Sequence, residues 1–208
     1  VLIRTGLPVD QRHLASSVVA LAAAEAAEDV SGVRPGIKWP NDLVAADGRK
    51  LAGVLAESDL VDSGPGETPT AAPIVVGIGI NVNWPRDDAD LPADLVGSAT
   101  SLQQQAGFRL DPDEVLASML KALGPRRDDL ETRAGRARQA EGLRSRCTTV
   151  GTAVRVELAR SYFEGVAVDV TAEGHLVVDE NGRRRTVVAG DVVHVRPRGQ
   201  APDRTDPI

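Results

Sequence analysis

The 208-residue sequence predicts an α+β fold in two parts: a mixed sheet packed with helices, then a small β-barrel. Three observations point there. Residues 11–30 and 112–123 carry apolar side chains at helical spacing. Short apolar runs with Gly and Pro punctuation lie before and between them. After Cys147 the helical patterns stop, and short β runs follow one another across Gly-containing turns.

Taken in order, Val1-Leu2-Ile3 reads as a strand already under way, as if a region preceded it or Val1 marked an unusual start. Gln11 to Val30, with Leu14, Val18, Val19, Leu21, Ala22 and Ala26 as its stripe, reads as a buried helix stopped by Ser31-Gly32. Ile37-Lys38-Trp39 is a short strand broken by Pro40, and Leu43-Val44-Ala45 runs extended. Asp47-Gly48 is a hairpin signal, with the return strand at 50–57. Residues 58–73 read as an exposed loop. Ile74 to Val82 reads as a central strand buried on both faces. Residues 84–98 form a second loop, and Ala99 to Leu102 starts a short helix. Asp111 as cap and Pro112 at the first position open a long helix that Gly124-Pro125 breaks or kinks. Residues 126–146 mix acids and bases, as a solvated helical face does. The barrel strands fall at 153–158, 164–170, 175–179, 185–188 and 192–195, and the polar tail reads as disordered. The boundaries are therefore 1–146, 147–197 and a tail 198–208.

Composition narrows the function. With 42% hydrophobic and 26% charged residues, wholesale disorder is excluded. A net charge of −6 argues against duplex binding by a basic surface. No apolar run approaches the roughly 20 residues of a membrane span. Arg4, Asp10, Gln11, Arg12 and His13 interrupt any signal-peptide pattern, so a cytoplasmic location is expected. The lone Cys147 excludes an internal disulfide and a cysteine zinc site, and reads as a buried cysteine at the domain junction. His13, His175 and His194 are scattered, so no histidine metal cluster is expected. Aromatics are only 2%, and Trp39 and Trp84, each before a proline, read as caps on an aliphatic core.

Three features could carry chemistry. Lys38-Trp39-Pro40-Asn41-Asp42 puts a lysine, an amide and a carboxylate on a turn suited to phosphate and metal contacts, although Asn-Asp turns are common in any protein. Lys50 opens an otherwise apolar strand in which Gly53 permits close approach to the backbone, or is simply a bulge glycine. Gly77-Ile78-Gly79-Ile80-Asn81 bares strand backbone and ends in an amide, without the third glycine and helix start of a dinucleotide fingerprint.

In this order and spacing the three resemble the catalytic domain of biotin–protein ligases, the biotin–[acetyl-CoA-carboxylase] ligase family. Ala99-Thr100-Ser101-Leu102 is similar to a further family motif. Phe163-Glu164-Gly165, Gly174-His175-Leu176 and Ala189-Gly190-Asp191-Val192 with Arg196 are similar to the family's SH3-like C-terminal domain. The resemblance covers residues 1–196. It implies a biotin/lipoate-ligase-like, class II synthetase-like mixed sheet followed by an SH3-like barrel. It implies ATP-dependent ligation of biotin, with Mg2+, to a lysine of a biotin carboxyl carrier protein through biotinyl-5′-AMP. On the family's pattern Lys50 is the catalytic lysine, reaching the biotin carboxyl and the α-phosphate. Gly53, Val54, Gly77 and Ile78 would line the biotin pocket through backbone. Lys38, Asn41, Asp42, Asn81 and Arg196 would face ATP. Family members often pair through this sheet, so a homodimer is among the expectations.

The sequence departs from the family in two places. A Ser/Thr-Thr/Ser-Asn motif and a Gly-Arg-Gly-Arg-x-Gly-Arg loop are not among these 208 residues, and Val1 to Arg4 resembles the family strand just beyond that loop. The chain thus reads as the second half of the catalytic part plus the barrel. No helix-turn-helix pattern is present, so no DNA partner is expected. A truncated inactive biotin- or ATP-binding remnant and a lipoate ligase relative stay open as alternatives. An RNA-binding barrel is disfavoured by the acidic charge and scarce aromatics.

Overall fold

The computed structural model describes residues 1–58, 73–158, 161–188 and 191–194. Its centre is helix α1 (Leu14–Ser31), where twelve residues, seven of them alanine, are buried. Small side chains let a helix be approached closely on several sides at little entropic cost. A sheet covers one side of α1, and helices α3 (Pro112–Asp129) and α4 (Arg133–Arg146) cover another. Gly32 ends α1 in the left-handed conformation, its N–H donating to the Glu28 carbonyl. Asp111 caps α3 with Pro112 at its start, as the sequence predicts. Gly124-Pro125 does not break it: the helix continues to Asp129, the proline falling near its end, where fewer helical bonds depend on the missing N–H.

The first sheet contains β1 (Leu2–Ile3), β2 (Gly36–Lys38), β3 (Asp42–Val44), β4 (Lys50–Ser58) and β5 (Ile74–Ile80), in the order β1-β5-β4-β3-β2. Neighbours pair antiparallel, and single parallel bridges from Lys50 to Ala99 and from Ile37 to Cys147 give it a mixed character. The Asp47-Gly48 hairpin forms as expected, with Gly48 at φ 85°. The expectation for β5 needs correction. Ile74 and Val76 are buried toward α1, but Val75 is 52% exposed and Gly77 and Gly79 are open. Only one face of this strand is covered, so the apolar run reflects a two-faced strand whose outer face is glycine-rich. Trp39 is buried at 3% exposure, whereas Trp84 is 50% exposed and caps no core. The expected loop at 58–73 and the tail at 198–208 lie almost wholly outside the described residues.

The short α2 (Leu102–Ala106) links the two longer helical regions. Beyond α4, strands β6 (Ala153–Leu158), β7 (Ser161–Val170), β8 (Leu176–Glu180), β9 (Arg183–Val187) and β10 (Asp191–His194) form an antiparallel sheet in the order β10-β6-β7-β8-β9. The Asn181-Gly182 turn, both residues at positive φ, joins β8 to β9. From it Arg185 returns to lie over the Phe163 ring at 3.8 Å. No helix among the described residues is long and apolar enough to cross a membrane.

The two sheets meet in a hydrogen-bonded seam. Thr148 N–H donates to the Ile37 carbonyl at 2.9 Å. His13 Nε2–H donates to Glu173 O at 2.8 Å, and His175 Nε2–H to Asp10 O at 3.2 Å. The two imidazoles, far apart in sequence, lie 4.7 Å apart. Cys147 sits at this junction, and burial raises its thiol pKa, which suits an inert side chain.

Two predictions follow from packing. A Cβ at Gly165 would overlap the Asp179 carbonyl oxygen and come within 2.7 Å of Val178 Cγ1. Gly165→Ala is expected to cost about 2 kcal/mol, seen as a fall in Tm of about 4–8 °C by calorimetry. Burial, and next the His175 ring, holds His13 below its ordinary value, so the unfolded chain takes up this proton more readily than the folded one. Stability from the neutral ring is full above about pH 6.5 and is lost as the pH falls below it. The urea midpoint should therefore drop between about pH 7.5 and 5.5, and His13→Gln should flatten that slope; an unchanged slope would contradict the assignment.

Candidate active site

The Lys38-Trp39-Pro40-Asn41-Asp42 motif is the tip of the β2–β3 hairpin. Lys38 and Asp42 are its paired ends, and the Trp39–Pro40 peptide is cis. Register then carries these residues across the sheet. Lys38 pairs with Asp42, Asp42 with Gly53, and Gly53 with Gly79, forming one cross-strand row. Paired residues in antiparallel strands project to the same face. The next row sets Leu55 beside Gly77, and the one after sets Glu57 beside Val75 and Leu2. This is the outer face, opposite α1, and Leu55 on it is 65% exposed.

Lys50 reaches onto that face from the start of β4. Its Nζ lies 2.8 Å from Asp42 Oδ1, the lysine side chain half exposed and the carboxylate about a quarter. The route passes over Gly53: a Cβ there would lie 3.0 Å from Lys50 Nζ and 3.4 Å from Asp42 Oδ1. The glycine is thus a seat for the ammonium group. A charged donor beside bare backbone and a carboxylate can exchange its internal partner for an incoming carboxylate or phosphate.

The backbone of Lys50 is clamped by Ser98 and the Ala99-Thr100-Ser101-Leu102 segment that follows it. Lys50 N–H donates to Ser98 O at 2.8 Å, and Thr100 N–H donates to Lys50 O at 2.9 Å. Thr100 and Ser101 are fully buried, and Ser101 Oγ caps α2 by accepting from the Gln104 N–H while donating to Pro85 O. Asn81 joins the same clamp: its Nδ2 donates to Thr100 O at 3.0 Å and its backbone N–H to Leu51 O. Asn41 Nδ2 donates to Val54 O at 2.5 Å, tying the hairpin tip to β4. Arg49 binds Asp47 and Asp88, fixing the turn before Lys50. Burial works to raise the Asp47 carboxyl, but the N–H groups of Arg49 and Gln105 outweigh it and hold the group below its usual range.

The structure thus brings together Lys38, Asp42, Lys50, Gly53 and Gly77 on one face. Asn41 and Asn81 stand at its margin as backbone braces. Val54 is buried and Ile78 packs against the core, so these two can meet a ligand only through backbone. Arg196 lies outside the described residues. Sequence reasoning missed Gly79 and Leu55 as members of the face. The signal for both was the strand register, which becomes readable once Gly53 is paired with Gly79. A cleft of about 320 Å³ opens beside the face, between Arg12 and Ser16 of the α1 entry, Pro40, Asn41, Leu55 and Glu57.

Comparison with known proteins places this geometry in a group. Residues 5–81 match the model of the Biotin/lipoate A/B protein ligase family, and residues 149–195 match that of the Biotin protein ligase C terminal domain, together more than half of the chain. A Biotin–[acetyl-CoA-carboxylase] ligase of Mycobacterium tuberculosis is 34% identical over 195 residues, covering 91% of this chain and 65% of that protein. The Bifunctional ligase/repressor BirA of Bacillus subtilis is 28% identical, covering 92% of this chain and 56% of the relative. The chain therefore spans between half and two thirds of the curated relatives it matches. Biotin protein ligase from Aquifex aeolicus in complex with biotin and ATP shares the fold with a TM-score of 0.71 at 24% identity, over 89% of this chain and 72% of that one. Its apo structure gives 0.73 at 22% identity, over 90% and 77%. With both halves of the chain matched in order and the sheet face built as described, the chain belongs to the biotin protein ligase family.

Proposed function

We propose that this chain carries the activation face of a biotin protein ligase, divided at 146/147 into a catalytic portion and a C-terminal β domain. The observation that carries the reading is Lys50 Nζ held over Gly53 within the Lys38–Asp42–Gly53–Gly79 row. In the first step a biotin carboxylate oxygen attacks the α-phosphorus of ATP. The bond to the bridging oxygen breaks, pyrophosphate leaves, and biotinyl-5′-AMP forms. In the second, the ε-amine of a lysine on a biotin carboxyl carrier protein attacks the acyl carbon. An amide forms, AMP leaves, and the amine proton passes to solvent.

The residues suit these demands. Both steps gather negative charge on oxygen, which a preorganised cation stabilises. Lys50 is placed to leave Asp42 for the biotin carboxylate and the α-phosphate, with Lys38 adding charge on the same row. Gly53, Gly77 and Gly79 let the valeryl chain and fused rings lie against the backbone, with Leu55 as apolar wall. Asn41, Asp42 and Asn81 frame the nucleotide side. Magnesium brought with ATP would neutralise phosphate charge there, and Asp42 is the residue that would hold it. One carboxylate fits an ion carried mainly by phosphate oxygens, and no cluster of three or more metal-binding side chains occurs among the described residues. Biotin is favoured over lipoate as the acid because residues 149–195 match a biotin protein ligase domain specifically.

Pyrophosphate release dependent on both biotin and ATP tests the reading. Lys50→Ala is expected to lower kcat/KM by about 10²–10³-fold. Release that survives the mutation undiminished would remove Lys50 from the mechanism, and no release from the wild-type chain would leave it an inactive portion. Gly53→Ala separates seat from fold. The atoms it displaces are ends of flexible side chains, so Tm should stay within about 2 °C, while biotin affinity by calorimetry falls about tenfold.

A further inference from the structure

We propose that the C-terminal sheet sets the conformation of the Trp39–Asp42 turn, with Trp39 as the strut and Thr149 as its positioning partner. The inference rests on the function proposed above for the consequence it has in nucleotide binding, but not for the structural coupling itself.

Both nitrogen donors of Trp39 are satisfied from beyond α4. Its backbone N–H donates to Thr149 Oγ1 at 2.9 Å, and its indole Nε1–H donates to the Gly174 carbonyl at 3.1 Å. Each bond is buried, where an orphaned donor carries the full desolvation penalty. Two residues earlier the Ile37 carbonyl accepts from Thr148 N–H. Thus Ile37 and Trp39, on either side of Lys38, are bonded to the start of the C-terminal portion and, through the indole, to its β7–β8 turn. That turn has few alternatives. Gly174 stands at φ 86°, and a Cβ there would lie 3.0 Å from His13 Nε2 and from Leu14 Cδ2. His13 holds the neighbouring Glu173 carbonyl. On the other side of the tip, Asn41 and Asp42 are bonded or paired to β4 and so to Lys50. The tip is therefore suspended between the C-terminal sheet and the Lys50 strand. A shift at Thr149 or Gly174 must reach Asn41 and Asp42 through Trp39 and the rigid proline that follows it. Composition explains why a tryptophan stands here: a buried Trp brings a large apolar body and one N–H donor that must be answered.

The test uses the whole chain with Thr149→Val, which removes the acceptor at nearly constant shape, Thr149→Ser, which restores it, and Trp39→Phe, which keeps the backbone N–H but removes the indole donor together with part of the ring. Amide hydrogen exchange is followed at residues 37–44 and, as control, in β7 and β8. Thr149→Val should speed exchange at the Trp39 and Asn41–Asp42 amides by roughly five- to tenfold and leave the control strands unchanged. Thr149→Ser should return it to the wild-type rate, and Trp39→Phe should act in the same direction as Thr149→Val. ATP affinity, by calorimetry with MgATP, should fall about five- to tenfold in the same two variants and recover with serine. Unchanged exchange at 39–42 in Thr149→Val overturns the proposal. Faster exchange with unaltered ATP affinity upholds the structural coupling and overturns its consequence for nucleotide binding. If the wild-type chain binds no ATP, the proposed function has failed, and the exchange result still decides whether the C-terminal sheet sets this turn.

Discussion

The antiparallel register of β3, β4 and β5 is the constraint from which the rest follows. Asp42 opposite Gly53 and Gly53 opposite Gly79 assign every residue of these strands to one of two faces. Leu43, Ala52, Val54 and Val76 go inward against α1, and Asp42, Leu55, Gly77 and Gly79 go outward. A slip of one residue would send the aliphatic set to solvent and the carboxylate to the core. The cost of burying Asp42 unpaired is what makes that slip unfavourable.

On this frame the family motifs have distinct physical tasks. Lys-Trp-Pro-Asn-Asp is a hairpin tip whose ends carry opposite charges and whose middle is anchored to another sheet. Ala-Thr-Ser-Leu, with Ser98 just before it, holds the Lys50 backbone from both sides and starts α2. The strand glycines leave space rather than supply groups, and the Gly53 space is already used by Lys50. The ion pair of Lys50 with Asp42 is half exposed, so its contribution to stability is small. Its importance is geometric, because it fixes where an anion would exchange in.

Much of this was legible before folding was considered. α3 could be placed from Asp111 and Pro112 because capping chemistry is local. The β3–β4 hairpin could be placed from Asp47-Gly48 because positive φ demands such residues. Lys38, Asp42, Lys50, Gly53 and Gly77 were named as candidates, and they share one face. β5 was misjudged because hydrophobicity alone cannot say which face of an apolar strand is covered when its outer positions are glycine. Trp84 was misjudged because an exposed and a buried tryptophan look alike in a sequence.

What the sequence determined by itself were the local choices: where helices begin, where turns occur, which residues have charge or lack a side chain. These depend on interactions within a few residues. The meeting of Lys50 with Asp42 over Gly53, the row ending at Gly79, the pairing of His13 with His175 and the anchoring of Trp39 on Thr149 and Gly174 were decided only by tertiary structure. Each joins residues whose separation along the chain carries no information about distance, and each is set by strand register or sheet docking, which only the packed core around α1 selects.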